Sequence, residues 1–176
     1  MPPRRFAAFF AALLMAAALA GCGFQLRGAQ SAALPYKTLY IALPESAEVR
    51  IWLERYILAS GATTLVDNPQ EAEAVFQQIS DNRQKTILSV NAQGRIREHR
   101  LQLSYRFRIV DAKGRIIVPP NELSLSRDLT YDDSNVLAKE QEERLLWRDM
   151  TSELVNQIVR RLSLIKPKES DPEDEA

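Results

Sequence analysis

The stretch RIREHR brings Arg95, Arg97 and Arg100 close together, and Arg106 and Arg108 follow on the polar positions of the alternating run LQLSYRFRI. Planar guanidinium forks suit phosphate, so these residues in this pattern point to a local anion site. The bland reading is a solvated face balanced by nearby acids. His99 is the only histidine and Cys22 the only cysteine. That excludes a His-rich metal site and argues against a serine or cysteine triad. His99, between Glu98 and Arg100 near a turn, is expected at the surface. The adjacent acids Asp132-Asp133 and Glu142-Glu143 could serve acid/base chemistry, but such pairs at a helix start and on a helix surface usually cap and solvate. Gly94 and Gly114 stand alone in turns, so there is no glycine-rich phosphate loop. The expectation is a binding protein, not an enzyme, with no metal and no cofactor beyond covalent lipid.

The lipid concerns Cys22. Arg4 and Arg5 give a basic start, and Phe6 to Ala20 is apolar without charge or proline. As a helix that run is roughly 22 Å long against a hydrocarbon core of roughly 30 Å, which fits the h-region of a signal peptide better than a span. Leu19-Ala20-Gly21-Cys22 then resembles a bacterial lipobox, where cleavage before the cysteine leaves a diacylated thioether and an acylated amine. Several acyl chains, at about 0.8 kcal/mol per buried CH₂, make a lasting attachment without a transmembrane helix. The other reading of Cys22 is a spare thiol in an exported protein. Gly23, in place of an aspartate, directs the anchor to the periplasmic face of the outer membrane.

Residues 1–21 are thus expected to be a signal peptide, residues 22–165 a single α/β domain, and residues 166–176, KPKESDPEDEA, a disordered acidic tail. With Lys and Arg numbering 23 and Asp and Glu 23, no bulk charge favours nucleic acid.

The elements that must position the arginines follow from hydrophobic spacing. Thr38 to Leu43 reads as a strand, and Val49, Trp52, Leu53, Tyr56 and Ile57 mark a helix that Gly61 stops. Thr63 to Val66 suits a short edge or connector strand. Val75 to Asn91 is extended, with a bulge or bend expected near Asp81 to Arg83. Leu101, Leu103, Tyr105, Phe107 and Ile109 alternate with polar residues, which gives a strand one face in the core and one in a polar setting. NAQG and DAKG flank it as hairpin turns, so Val75 to Tyr131 forms an antiparallel meander. Its last strand, ELSLSRDLTY, places Arg127 on the same face as Leu123, Leu125 and Leu129, and Pro119-Pro120 ahead of it suits a sheet edge or an irregular start. A long helix from about Asn135 to Ile165, with Asp133 or Ser134 as cap, carries Leu146, Met150, Leu154, Ile158 and Leu162 in steps of four. The fold class is α+β, a two-layer sandwich with two helices on one face of a roughly four-stranded, mostly antiparallel sheet.

The order of lipobox, CGFQLRG, strand, helix, meander and SRDLTYDDSNVLAKEQEERLLWRDM running into QIVRRL resembles the LptE family of lipopolysaccharide-assembly lipoproteins. The most specific piece is carried by Arg127, Tyr131, Asp132, Leu137, Ala138, Lys139 and Glu142. The resemblance implies a protein that plugs and helps assemble the LptD β-barrel and binds lipopolysaccharide on its way to the outer leaflet. Lys139 is carried over as a candidate lipopolysaccharide contact; its bland role is pairing with Glu142 or Glu143. Arg127, Tyr131 and Asp132 become candidate structural or partner contacts, Arg127 in a buried pair with an acid of the long helix or against the barrel. Arg95, Arg97, Arg100, Arg106 and Arg108 are candidates for lipopolysaccharide phosphates on electrostatics alone. The alternative from another class is a pilotin-type or accessory outer-membrane lipoprotein without a lipopolysaccharide site.

Overall fold

The structure is a computed structural model that describes residues 34–131 and 135–165. The expectations for the signal peptide, Cys22, Asp132, a cap at Asp133 or Ser134, and the acidic tail lie outside these residues.

Strand β1, Thr38–Ala42, alternates so that Leu39 and Ile41 are buried. Helix α1, Glu48–Ser60, buries Val49, Leu53 and Ile57, which fall one turn apart on a single stripe, and Gly61 ends it by donating its N–H to the Ile57 carbonyl at 3.2 Å. The two-residue strand β2, Thr64–Leu65, returns parallel to β1. A 3₁₀ turn at Pro69–Glu71 leads into three long strands, β3 (Ala74–Val90), β4 (Ile96–Val110) and β5 (Ile116–Thr130). These form the expected meander, and β1 joins β3 in parallel, which gives a five-stranded sheet in the order β2-β1-β3-β4-β5. The difference from four strands is β2, whose short run was legible only as an edge or connector.

The two hairpins use the same side-chain chemistry. Asn91 Oδ1 accepts from the N–H groups of Gln93 and Arg95 at 3.0 and 2.9 Å, and Asp111 Oδ1 from those of Lys113 and Arg115 at 2.9 and 2.8 Å. Gly94 and Gly114 then turn the chain at φ 76° and 83°, where any side chain would be strained. Strand β3 has a bulge between Gln78 and Ser80, beside the expected place near Asp81 to Arg83, and a second between Ile87 and Val90 that the sequence did not signal. Pro119 and Pro120 lie within β5 at the register shift opposite Phe107 to Ile109, where neither has a partner on β4 whose bond it would remove.

Helix α2, Val136–Ser163, begins from Asn135 and buries Met150, Thr151, Leu154, Val155, Ile158, Val159 and Leu162. Its burial is confined to the second half, so the first turns carry exposed Val136 and Leu137. The core lies between the helices and one sheet face, where Phe76 stacks on Phe107 with centroids 5.4 Å apart and Leu101, Leu103, Tyr105 and Ile109 are fully enclosed. Each such side chain contributes about 1.5–3 kcal/mol on leaving water.

His99 corrects the expectation of a surface residue: it is only 8% exposed. Strand β4 begins at Ile96, so the odd-numbered alternation that buries Leu101 also turns His99 inward, edge-on to the Tyr131 ring at 5.4 Å.

Burial pushes the Tyr105 phenol well above the ordinary tyrosine range, and the charge of Asp81 adds to this. Burial raises Tyr36 in the same way, with Glu73 adding. The unfolded phenol ionises near pH 10, so above that pH the folded state holds a proton the unfolded state has released, and stability falls as pH rises. Tyr105→Phe loses the 3.1 Å bond from the hydroxyl to Gln78, at about 0.5–1.5 kcal/mol near neutrality. The gap between wild type and variant is therefore expected to narrow between pH 9 and pH 11, as measured by urea denaturation. A constant gap would mean that the phenol ionises as freely folded as unfolded.

Candidate functional site

Alternation divides the arginines that the sequence groups together. Arg100, Arg106 and Arg108 take even positions on β4 and face away from the helices, whereas Arg95 precedes the strand in the β3–β4 turn and Arg97 takes an odd position at its start. From Arg97 to Arg108 the strand advances roughly 36 Å, so these guanidinium groups cannot converge on one phosphate.

The open-face arginines are each held by a neighbour across the sheet. Arg100 donates from Nε and Nη2 to the two carboxylate oxygens of Asp128 at 2.8 and 3.0 Å, a fork-on-carboxylate pair between residues directly opposite in register. This bond holds the Asp128 carboxyl below the usual carboxylate range. Arg106 stands 4.0 Å from Glu122, and Arg108 Nε donates to Gln77 Oε1 at 2.8 Å. Around them lie Gln84, Gln102, Ser104, Ser124 and Ser126, which makes this face polar, with Arg100 and Arg106 facing acids and Arg108 a neutral amide.

The other cations lie at the end where the β3–β4 turn, the close of β5 and the start of α2 meet. The Tyr131 N–H donates to the Arg97 carbonyl at 2.7 Å, and Lys139 Nζ donates to Thr130 Oγ1 at 3.1 Å and to Glu142 at 2.8 Å. Lys139 is thus both at this end and paired as its bland reading expects. Exposed Val90, Val136 and Leu137 stand at the same end. The arrangement places cations and exposed apolar side chains at one end of the domain.

Arg127 does pair with an acid of the long helix, Glu153, and its Nη1 donates to the Ser126 carbonyl at 2.9 Å. The pair is on the surface instead of buried, with side chains 43% and 40% exposed. Although Arg127 projects toward the helix side, β5 is the edge strand, so water reaches the guanidinium past its flank. A pair so placed contributes about 0–1 kcal/mol. Tyr131 serves the packing of His99.

Sequence reasoning passed over Arg83. It reaches Glu48 of α1 at 3.1 Å and Thr151 of α2 at 3.3 Å, and lies over the Trp147 ring at 5.8 Å. Lys85 adds a 2.6 Å pair with Glu143. The available signal was the recurrence of Asp81, Arg83 and Lys85 on the helix-facing side of β3, where polar residues need polar partners from the helices. At the far end of the domain, a groove of about 360 Å³ lined by Phe107, Val118, Pro119, Leu162 and Ile165 offers few polar groups besides Asn121 and Arg161. Among the described residues, no cluster of His, Cys, Asp and Glu could hold a metal ion, and no helix is long and apolar enough to cross a membrane.

The chain is an α+β sandwich, a long antiparallel meander closed by a long helix. It is similar to the solution structure of an uncharacterized lipoprotein B from Nitrosomonas europaea, at 35% identity over 80% of this chain and 90% of that one, with a TM-score of 0.69. It is also similar to a minor lipoprotein from Acinetobacter baumannii, at 28% identity over 74% and 92% of the two chains and a TM-score of 0.61. The rare lipoprotein B of Shewanella oneidensis shares the fold at 21% identity, over 72% and 93% of the chains, with a TM-score of 0.62. None of the curated proteins compared with the chain matches it. The family model LptE, lipopolysaccharide-assembly, matches residues 36–162, and the chain belongs to that family.

Proposed function

We propose that this lipoprotein is anchored through Cys22 on the periplasmic face of the outer membrane, plugs and helps assemble the LptD β-barrel, and binds lipopolysaccharide during its insertion into the outer leaflet. The observation that carries the ligand part is the meeting of Arg95, Arg97 and Lys139 with exposed Val90, Val136 and Leu137 at one end of the domain. Lipopolysaccharide has both halves of that match, phosphates for the cations and acyl chains for the apolar groups. The barrel part draws on family membership and on the polar open face of the sheet, which suits a polar barrel lumen. Arg100, Arg106 and Arg108 are assigned to that face and to its cross-strand pairs, away from the ligand.

The test is charge reversal, with Arg95→Glu, Arg97→Glu and Lys139→Glu combined. All three positions lie outside the core, so the variant is expected to keep the wild-type circular dichroism spectrum and its pairing with the barrel. Its affinity for lipopolysaccharide in a direct binding assay is expected to fall at least about tenfold, which corresponds to about 1.4 kcal/mol. Unchanged affinity in the folded variant would remove the ligand site from this end.

A further inference from the structure

The two long edges of the sheet are treated differently. On β5, side chains bond the backbone carbonyls: Arg161 reaches that of Glu122 at 3.1 Å, Arg127 that of Ser126 at 2.9 Å and Asn121 that of Pro119 at 3.0 Å. Pro119 and Pro120 have no N–H to offer. These are devices by which an edge strand avoids recruiting another strand.

Strand β3 has no proline between Gln78 and Val90, and its bulges fall at the two ends of that stretch, so Ser80 to Ile87 runs in regular register with its charged side chains drawn onto acids of the strand and the helices. Strand β1 pairs with it only from Ala74 to Gln77. From Gln78 to Val90 its outer side has no strand neighbour among the described residues, and no side chain is bonded to its backbone there. This stretch of roughly 40 Å carries exposed Ile79, Ile87 and Leu88, at 41%, 58% and 40% exposure. A row of unpaired peptide groups flanked by exposed apolar side chains is the feature that proteins facing only water remove.

We infer that the outer edge of β3, Gln78 to Val90, is a docking site for an extended segment of a partner polypeptide that adds a sixth strand to the sheet. The chemistry of the edge selects the occupant, because only another backbone presents N–H and C=O groups at the spacing that satisfies this row. The charges of the edge are already used, Arg83 on Asp81 and Glu48 and Lys85 on Glu143, so the segment it fits is uncharged, with apolar residues to meet Ile79, Ile87 and Leu88. A second copy of this chain fits poorly. Antiparallel pairing over the whole stretch sets Arg83 opposite Lys85 twice, and like charges directly opposite destabilise a strand pair. The inference rests on the proposed function only for the existence of a polypeptide partner.

The experiment places a photo-crosslinking benzoylphenylalanine at Ile79, Gln84 or Leu88 of the full-length lipoprotein in its own outer membrane, with Ser124 on β5 as the control. Crosslinked peptides are then sequenced by mass spectrometry. The expected result is crosslinks from all three β3 positions that step along one continuous segment of a partner chain, a segment that Ser124 on the open face does not crosslink. In parallel, Ile79→Lys with Leu88→Lys is expected to lower recovery of that partner at least tenfold while the melting temperature and lipopolysaccharide affinity stay at wild-type values. No protein crosslink from β3, crosslinks only to a second copy or to lipid, or undiminished recovery of the partner with the lysine variant would overturn the inference. A barrel that co-purifies but is crosslinked nowhere along β3 overturns it and leaves the plug reading standing. A continuous strand contributed by a protein other than a barrel sinks the plug reading and supports the edge.

Discussion

Phe107→Ala is expected to destabilise the domain by about 3–5 kcal/mol, the range for removing a fully buried phenylalanine. Phe107 is 0% exposed, stacks on Phe76 at an interplanar angle of 17° and lies 6.4 Å from Tyr105, so the deletion removes the middle of an aromatic row along the sheet. It also lines the groove between the start of β5 and the end of α2, and the loss thus reaches both layers. For a domain of this size the melting temperature is expected to fall by roughly 10 °C, measured by circular dichroism. Phe107→Leu keeps most of the volume and is expected to recover most of that loss. A fall below about 1 kcal/mol for the alanine variant would mean that the site collapses around the deletion and that the aromatic row does not hold the two layers together.

Cys22→Ala is expected to abolish lipid attachment. The thioether requires a sulfur, and the chain has no other cysteine to supply one. Cells labelled with palmitate should show label in the wild-type protein and none in the variant, which should persist at the larger mass of a precursor with residues 1–21 attached. The effect is all or none because the anchor is a covalent bond and not a sum of weak contacts; its acyl chains, at about 0.8 kcal/mol per CH₂, supply the whole membrane affinity that the reading assigns. Palmitate label retained in Cys22→Ala would place the acylation elsewhere and remove the basis for reading Leu19 to Cys22 as a lipobox.

The legible parts of this protein were those set by strong local periodicity. Leu101 to Ile109 alternates strictly, and the strand, its buried face and its polar face follow from a side-chain period of two. Met150, Leu154, Ile158 and Leu162 step by four, and they are the buried stripe of α2. NAQG and DAKG each combine an Asn or Asp that accepts from the backbone with a glycine that tolerates positive φ, so both turns could be placed from four residues. The family was legible because Arg127 to Glu142 is a spaced pattern of chemically distinct residues, and the match over residues 36–162 agrees with it. Where the pattern was weak, so was the reading. The second bulge of β3, between Ile87 and Val90, was not foreseen because a strand exposed along much of its length has no hydrophobic alternation to betray a slip.

By itself, then, the sequence determined the element order, the core stripes of β4 and of the two helices, and the membership of the family, since all three depend on residues near one another along the chain. The tertiary structure alone decided which side chains meet. It divided Arg95 and Arg97 from Arg100, Arg106 and Arg108, turned His99 inward, gave Arg127 to Glu153 at the surface, and joined β3 to both helices through Arg83. It also left one long edge of the sheet capped and the other bare. Each of these depends on register between strands or on the seating of a helix against a sheet, and a shift of one residue in either exchanges the faces without altering the local pattern from which a sequence is read.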